Sequence, residues 1–202
     1  MSKSVLSKLI SSKNIIDSDK DGETYINISL NGETTLGRML HPKYSKKFTV
    51  EGLGDFYSME AYMNFLTIKN YPTKLLSKPR ITRREFESFG KPIRRTLGNY
   101  YSLVTLGLYN KINQDEELYN ELINNKLEFA SIYRKKINLK QVNSSVTYLN
   151  TPTPKMDRYI SIIRYLSIQF KKYGRNITPT ILTIIIDDTK DKPELELTDG
   201  LV

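Results

Sequence analysis

Residues 56–64 read FYSMEAYMN, and this stretch has the pattern of a helix start. Ser58 is a good N-cap residue, because its hydroxyl can accept a hydrogen bond from a free N–H group of the first helical turn. Four apolar residues share one stripe at helical spacing: Met59, Tyr62, Met63 and Leu66. The pattern predicts a helix from Met59 to Lys69, which Tyr71-Pro72 ends.

Upstream of this helix the sequence favours β-structure. Residues Tyr25 to Leu30 alternate between apolar and polar side chains, as a half-buried strand does. Asn31-Gly32 follows, a pair that suits the two-residue turn of a hairpin because both residues tolerate positive φ. We therefore predict a β-hairpin with a return strand from Glu33 to Leu40, and another short strand from Phe48 to Val50.

Downstream of the helix, Thr82 to Glu85 has the form of a capping box, which predicts a short helix through Phe89. Periodicity and helix breakers then predict a helix from Asn99 to Asn113, a helix from Gln114 or Asp115 to Asn124, a strand from Leu127 to Ile132, a rigid connector at Thr151-Pro152-Thr153-Pro154, a helix from Asp157 to Lys172 and a buried strand from Ile181 to Ile186. The predicted fold class is α+β: a mostly helical single domain with a small N-terminal β-hairpin.

The chain divides into an amphipathic N-terminal segment (residues 1–20), one domain (residues 21–186) and an acidic tail (residues 187–202). A length of 202 residues with 39% hydrophobic residues suits a single domain with a continuous core. The N-terminal segment is too polar for a signal peptide, and no stretch approaches the length of a membrane span. We expect a cytoplasmic protein with no membrane partner, and the sequence leaves its oligomeric state open.

Several kinds of chemistry are excluded by composition and motif. The chain has no Cys, which excludes disulfides and thiolate catalysis, and His41 is its one His, which excludes a multi-histidine metal site. It has no Walker-type phosphate loop, dinucleotide glycine fingerprint, HExxH motif or serine elbow. We therefore expect no bound metal and no cofactor.

Positive charge is concentrated in the middle of the chain. The formal net charge is +9, and the segment from Lys69 to Arg95 holds nine basic residues and two acidic ones. Arginines in this segment could clamp the phosphates of a nucleotide-like ligand, because a guanidinium group matches phosphate oxygens bidentately. They could equally follow a nucleic-acid backbone, or form a solvated basic face. These three interpretations stay open.

The order of residues around Glu60 resembles the NADAR superfamily, the YbiA-like N-glycosidases. That family has a helix opening with a Ser-Glu-x-x-x-Gln type motif, and this chain has Glu60 after Ser58 and Asn64 where the family has Gln. The stretch from Gly90 to Arg94 is similar to the family's Gly-Arg…Pro-Leu-Arg stretch, and Tyr101 lies where a Trp is usual. The resemblance covers roughly residues 35–132, with the helix from Asp157 in the right order.

The resemblance implies a NADAR-like fold and an N-glycosidase or ADP-ribosyl-hydrolase-like activity on a ribosyl N-glycoside. Glu60 would be the catalytic carboxylate, since a negative charge beside the ribose stabilises an oxocarbenium-like state. The ligand would be ADP-ribose-like or a nucleotide, and the residues expected to contact it are Arg80, Arg83, Arg84, Lys91, Arg94, Arg95, Tyr62, Asn64 and Tyr101. Equally, Glu60 could be a first-turn helix residue that only the helix dipole favours.

One departure from the family keeps a second function open. The family's later Asp-x-x-Trp-Gly-x-Gly segment has no counterpart here, because residues 137–156 contain neither Trp nor Gly. The alternative is a catalytically inactive NADAR-like protein that binds nucleic acid, a nucleotide or a host protein. A composition rich in Lys, Asn and Ile suits an AT-rich genome, and such a protein could be a phage effector.

Overall fold

The computed structural model describes residues 20–68, 72, 75–78, 82–88, 97–137, 147–152 and 156–177. In these ranges the chain forms six helices and six short strands. The helices are α1 (Thr35–Leu40), α2 (Met59–Thr67), α3 (Arg83–Ser88), α4 (Leu97–Gln114), α5 (Glu116–Asn124) and α6 (Asp157–Tyr173). The strands are β1 (Tyr25–Asn27), β2 (Phe48–Val50), β3 (Gly54–Phe56), β4 (Glu128–Ala130), β5 (Ile132–Ile137) and β6 (Thr147–Pro152).

The helix predicted from residues 56–64 is confirmed and forms the centre of the core. Ser58 caps α2, since its buried Oγ accepts a hydrogen bond of 3.0 Å from the Ala61 N–H. The apolar stripe of α2 packs with residues of α4 and α6 in one hydrophobic cluster. An aromatic group from the β2–β3 hairpin joins it, where the Phe56 and Tyr62 rings meet edge to face at 4.9 Å. The β2–β3 hairpin therefore covers the helix that carries Glu60.

The predicted N-terminal hairpin is wrong. β1 pairs in parallel with β4, so that Tyr25 lies beside Glu128, and the expected return strand is helix α1. The cause is local hydrogen bonding around the turn. The two carboxylate oxygens of Asp21 accept the N–H groups of Asn27 and Glu33, at 2.8 and 2.7 Å. The chain still turns at Asn31-Gly32, but its next residues are set up for a helix instead of a strand.

Thr34 starts that helix. Its Oγ1 accepts a hydrogen bond of 3.1 Å from the Gly37 N–H, as an N-cap residue does. Gly37 then allows α1 to approach the end of β1 closely, because a Cβ at this position would lie only 2.2 Å from the Asn27 carbonyl oxygen. The helix is thus specified by one cap and one close backbone approach.

The strands form three separate two-stranded sheets: β1 with β4, β2 with β3, and β5 with β6. The predicted connector at Thr151-Pro152-Thr153-Pro154 is corrected in its first half, since Thr151 and Pro152 belong to β6 and pair with Tyr133 and Ile132. Its second half, residues 153 and 154, lies outside the described residues. Pro152 is tolerated in β6 because it occupies the last position of the strand, where a missing N–H costs little. The predicted strand from Leu127 to Ile132 is divided, because β4 ends at Ala130 and β5 begins at Ile132.

The other predicted helices are found near their expected bounds. Asp115 caps α5 through a 3.4 Å hydrogen bond from the Leu118 N–H, and α6 starts at Asp157 as predicted. The amphipathic segment before Lys20, the strand from Ile181 to Ile186 and the acidic tail lie outside the described residues. None of the helices in the described ranges combines the length and the apolar content needed to span a bilayer.

Candidate functional site

Glu60 lies in the first turn of α2, at the edge of the core. Its backbone N–H donates a hydrogen bond of 2.9 Å to the Pro42 carbonyl, which joins the helix start to the segment after α1. Its Oε1 lies 3.2 Å from the Lys43 Nζ. The Glu60 side chain is only 13% exposed, whereas that of Lys43 is 44% exposed. The result is a largely covered carboxylate whose negative charge is stabilised by the helix N-terminus and by a lysine at the surface.

The loop of residues 41–47, between α1 and β2, holds three lysines, and each faces a carboxylate on a different element. Lys43 pairs with Glu60 of α2, and the Lys47 Nζ lies 2.7 Å from Asp55 of β3. Lys46 approaches Asp115, the cap of α5, at 3.6 Å. We call this segment the lysine loop. Three ion pairs therefore join the lysine loop to α2, to β3 and to the start of α5, and Lys43 is the member that lies at Glu60.

Lys47 and Asp55, the exposed ion pair of the lysine loop, each have a pKa shifted in favour of the charged form. The hydrogen bond from Lys47 lowers the pKa of Asp55, and a second hydrogen bond from Thr49 adds to this effect. The same bond raises the pKa of Lys47. Both side chains therefore stay charged over the physiological pH range.

A buried lysine lies against the same loop, and it was not among the residues predicted from the sequence. Lys111 of α4 is 1% exposed, and its Nζ donates a hydrogen bond of 2.8 Å to the Met39 carbonyl in the last turn of α1. The ammonium group also lies 5.5 Å from the ring centroid of Tyr44, in the lysine loop. Burial lowers the pKa of Lys111 to about 7, and nearby Asp115 opposes that shift.

A signal for Lys111 is present in the sequence. The buried stripe of α4 contains Val104, Leu108 and Ile112, and Lys111 lies beside it at helical spacing. A basic residue in such a stripe is expected either to extend its ammonium group to solvent or to be paired internally. Here it is paired internally. Lys111 caps the C-terminal end of α1 and supports the base of the lysine loop.

Tyr62 and Asn64, both expected to contact a ligand, lie in the core. The Tyr62 ring is fully buried, and its hydroxyl donates a hydrogen bond of 2.8 Å to the Leu103 carbonyl of α4. Asn64 is 6% exposed. The Tyr62 hydroxyl thus joins α2 to α4, and both side chains are buried in this structure.

The basic segment is described in part. Arg84 has an exposed side chain in α3, and Arg83 belongs to the same helix, while Arg80, Lys91, Arg94 and Arg95 lie outside the described residues. Whether these arginines and Glu60 share one pocket therefore stays a prediction.

The capping box of α3 is confirmed. Thr82 Oγ1 accepts the Glu85 N–H at 3.2 Å, and Glu85 Oε2 accepts the Thr82 N–H at 2.8 Å. Lys78 also donates to Glu85 at 2.8 Å, and these bonds, that of Lys78 first, lower the pKa of Glu85 to about 2. Lys78 is therefore a partner of the helix start, and its charge is offset by a carboxylate.

Tyr101 has a cationic neighbour that was not predicted from the sequence. The guanidinium carbon of Arg158, in the first turn of α6, lies 5.1 Å from the centroid of the half-buried Tyr101 ring. Tyr100 is buried, which confirms the expectation that one of these two adjacent tyrosines belongs to the core. An aromatic face beside an arginine can stack a flat ring and bind a negative charge, the two parts of a nucleotide.

A cleft of about 420 Å³ opens elsewhere, between β1, α1 and α5. Its polar lining comes from Glu117, Glu121 and the carboxamides of α5, and its floor from Ile26 and Leu36. None of the residues predicted to bind a ligand lines it. The carboxylates of this cleft would repel a phosphate ligand, because both groups are negatively charged.

No protein-family model, no curated protein and no solved structure matches the chain.

Proposed function

We propose that this protein is a NADAR-like N-glycosidase that hydrolyses a ribosyl N-glycoside, with Glu60 as its catalytic carboxylate. One observation carries the proposal: Glu60 is largely covered, lies at a helix N-terminus and faces a lysine that is half exposed at 44%. The Glu60 carboxylate is thus a largely covered negative charge at the edge of the core. The resemblance around Ser58, Glu60 and Asn64 provides the reaction class.

The chemistry follows from charge. When the bond between ribose C1′ and the nitrogen breaks, the electron pair leaves with the nitrogen and positive charge develops on the sugar ring. The Glu60 carboxylate stabilises that charge and orients a water molecule, whose oxygen bonds to C1′ while one of its protons is transferred to the leaving nitrogen. Lys43 balances the carboxylate in the free protein, and being exposed it can move aside when the cationic sugar takes its place.

The phosphates of an ADP-ribose-like ligand would be bound by the basic segment. Arg84 is exposed and available for this role, and Arg80, Arg83, Lys91, Arg94 and Arg95 are its sequence neighbours. Tyr101 with Arg158 would stack the base, although Arg158 was not among the residues that the sequence singled out. Tyr62 and Asn64 would support the helix that carries Glu60.

Glu60→Gln tests the proposal. We expect release of free ADP-ribose from ADP-ribosylated protein, DNA and small nucleotides to fall at least about 100-fold, because the amide cannot stabilise the cationic sugar. The melting temperature is expected to fall by no more than about 2–4 °C, since a partly exposed ion pair contributes at most about 1 kcal/mol. The measurements are chromatographic detection of ADP-ribose and thermal unfolding followed by circular dichroism.

Asp55→Asn is the matched control, because it removes another carboxylate that pairs with the lysine loop. It should leave hydrolysis within about twofold of the wild type. Failure of the wild-type protein to release ADP-ribose from all three substrate classes would refute the enzymatic proposal.

A second candidate function is a binding protein that keeps this fold without the chemistry. The three ion pairs of the lysine loop favour this second function. Glu60 would then have a structural role only, as one of three carboxylates that hold the loop. In that case Glu60→Gln and Lys43→Met lower the melting temperature equally, and the double variant shows no further loss. A double-mutant cycle measured by urea unfolding, together with the hydrolysis assay, separates the two candidates.

A further inference from the structure

His41, the one histidine of the chain, lies where α1 ends and the lysine loop begins. Its backbone N–H donates to the Arg38 carbonyl at 3.2 Å, and its carbonyl accepts the Tyr44 N–H at 2.9 Å. Residues 41–44 therefore form a tight turn, and Pro42 occupies the second position, which its fixed φ suits. The backbone of His41 thus joins the helix to the loop.

The imidazole ring of His41 bonds to the same turn. Its Nδ1 accepts a hydrogen bond of 3.1 Å from the Lys43 N–H. A ring nitrogen that accepts a hydrogen bond carries no proton, so the imidazole is neutral and its proton is on Nε2. The protonated ring carries a proton on both nitrogens, and Nδ1 then cannot accept the Lys43 N–H. The bond therefore exists in only one of the two charge states of His41.

One peptide group connects this ring to the first turn of α2. The peptide between Pro42 and Lys43 donates its N–H to His41, and its carbonyl accepts the Glu60 N–H at 2.9 Å. The Lys43 side chain, which follows this peptide, has its Nζ 3.2 Å from the Glu60 Oε1. The backbone and the side chain of Glu60 thus both contact residues that the imidazole holds.

We propose that His41 is a pH-sensitive positioning residue for Glu60. The neutral ring holds the peptide between Pro42 and Lys43, and with it the lysine ammonium beside the carboxylate. The protonated ring releases this peptide, and Lys43 is then no longer fixed at Glu60. An unperturbed imidazole changes charge near pH 6.5, within the physiological range. The effect on hydrolysis rests on the proposed function, whereas the effect on Lys43 does not.

The charged and titratable groups on the elements around this turn have partners of their own. Arg38 donates to two carbonyl groups before the start of α1. The other groups belong to the lysine loop, α2, α4, α5 and α6, and they are Lys43, Tyr44, Glu60, Lys111, Asp115 and Tyr159. Burial lowers the pKa of Lys111 to about 7, so its charge also changes close to this range. An experiment on His41 must therefore separate the two groups.

Nuclear magnetic resonance separates them, because His41 gives the one histidine C2–H signal of the protein. This signal and the Lys43 amide are followed from pH 8 to pH 5. We expect a shared midpoint, since the amide loses its acceptor when the ring takes up a proton. The Ala61 amide, bonded to the Ser58 hydroxyl, is the internal control and should not follow the histidine. The Lys111→Met variant should keep the shared midpoint.

A Lys43 amide that does not follow the histidine signal would overturn the proposal. So would a change at this amide that disappears in Lys111→Met, because Lys111 would then be the group that titrates. The measurement needs no substrate. It therefore tests the positioning of Lys43 even if the protein has no hydrolytic activity.

Two substitutions at His41 extend the test to hydrolysis. In His41→Asn, the side-chain oxygen can replace Nδ1 as acceptor and does not titrate, whereas His41→Leu has no acceptor. In the wild type, hydrolysis should fall as His41 becomes protonated. A largely covered Glu60 without its lysine takes up a proton more readily, and a neutral carboxyl group cannot stabilise the cationic sugar.

We expect His41→Asn to keep hydrolysis at pH 7.5 within about threefold of the wild type, and His41→Leu to lose at least about 10-fold through the misplaced turn. His41→Asn should also lack the fall in rate near the histidine midpoint. If it keeps that fall, His41 is not the switch and this proposal is wrong. If the wild type hydrolyses no substrate while the shared midpoint is found, the proposed function fails and the positioning role of His41 stands.

Discussion

The ring of Tyr62 occupies the space that a side chain at position 107 would need. A Cβ on Gly107 would lie 2.2 Å from the Tyr62 Cε1 and 2.5 Å from its Cδ1, far inside van der Waals contact. A glycine in the middle of α4 sacrifices about 1 kcal/mol of helix propensity relative to alanine. Here it allows α2 and α4 to approach each other, and the position of Glu60 depends on that approach.

Gly107→Ala is therefore expected to destabilise the protein, in spite of alanine's better helix propensity. We expect the free energy of unfolding to fall by about 1–3 kcal/mol, the usual cost of an overpacked core. Urea unfolding measures it. In a Tyr62→Ala background the clash is gone, and the same substitution should cost less than about 0.5 kcal/mol. An equal cost in both backgrounds would show that the tyrosine ring is not the reason for this glycine.

At this scale, prediction from the sequence succeeded where a residue acts on its own neighbours. Ser58 and Thr82 are caps as predicted, because a cap is decided by hydrogen bonds within one turn. Prediction from the sequence did not find the role of Lys111, because its partner Met39 is 72 residues away. Tyr62 fitted both the apolar stripe and the ligand site, and only packing against α4 decides between these two roles.

At the scale of elements, α1 shows why a short segment can be assigned wrongly. Six residues give no more than two helical turns, too few for periodicity to separate a helix from a strand. Its C-terminal end is held by side chains of two other helices: Lys111 donates to the Met39 carbonyl, and the Tyr159 hydroxyl donates to the Leu40 carbonyl at 3.0 Å. Tertiary contacts thus stabilise a helix that its own sequence specifies weakly.

Tyr159→Phe tests this capping arrangement. The change removes the buried hydroxyl and leaves the Leu40 carbonyl without that donor, so we expect a loss of about 1 kcal/mol in the free energy of unfolding. The free energy of opening that hydrogen exchange measures at the amides of α1 should fall by about the same amount. The matched control is Tyr173→Phe, at the exposed end of α6, which should change stability by less than about 0.5 kcal/mol.

At the scale of the whole molecule, the buried Lys111 makes stability depend on pH. Its pKa is about 7 in the folded protein and 10.5 as a reference, so between these values the unfolded chain binds more protons than the folded one. Stability must then rise with pH across this window. Burial raises the pKa of Tyr100 and Tyr159, so above about pH 10 the folded state keeps tyrosine protons that the unfolded state loses, and stability falls again.

We therefore expect a stability maximum near pH 10, approached from pH 7 with a slope of up to about 1.4 kcal/mol per pH unit for one proton. Urea unfolding at half-unit pH intervals measures this slope. Lys111→Met keeps most of the side chain's volume and should remove the slope between pH 7 and 10. If the Met variant keeps the wild-type slope, Lys111 is not the group responsible.

Most of the helices and the strand β2 were predictable from the sequence, whereas helix α1 and the pairing of β1 with β4 were not. The helices α2, α4, α5 and α6 follow from periodic apolar stripes and caps, which are local signals. The parallel pairing of β1 with β4 follows from no local signal, because its partners are about 100 residues apart in sequence. The hairpin signal at Asn31-Gly32 was real as a turn, but the Asp21 carboxylate and the Thr34 cap direct the chain into a helix.

That parallel pair has a consequence for how the chain is made. Tyr25 to Asn27 leave the ribosome long before Glu128 to Ala130 exist. At about 5–20 residues per second, translation of the intervening chain takes roughly 5–20 s. Throughout that interval Ile26 and Ile28, both buried in the finished protein, lack the strand beside which they are buried. We therefore expect the N-terminal part of the nascent chain to expose apolar surface until translation has passed β4.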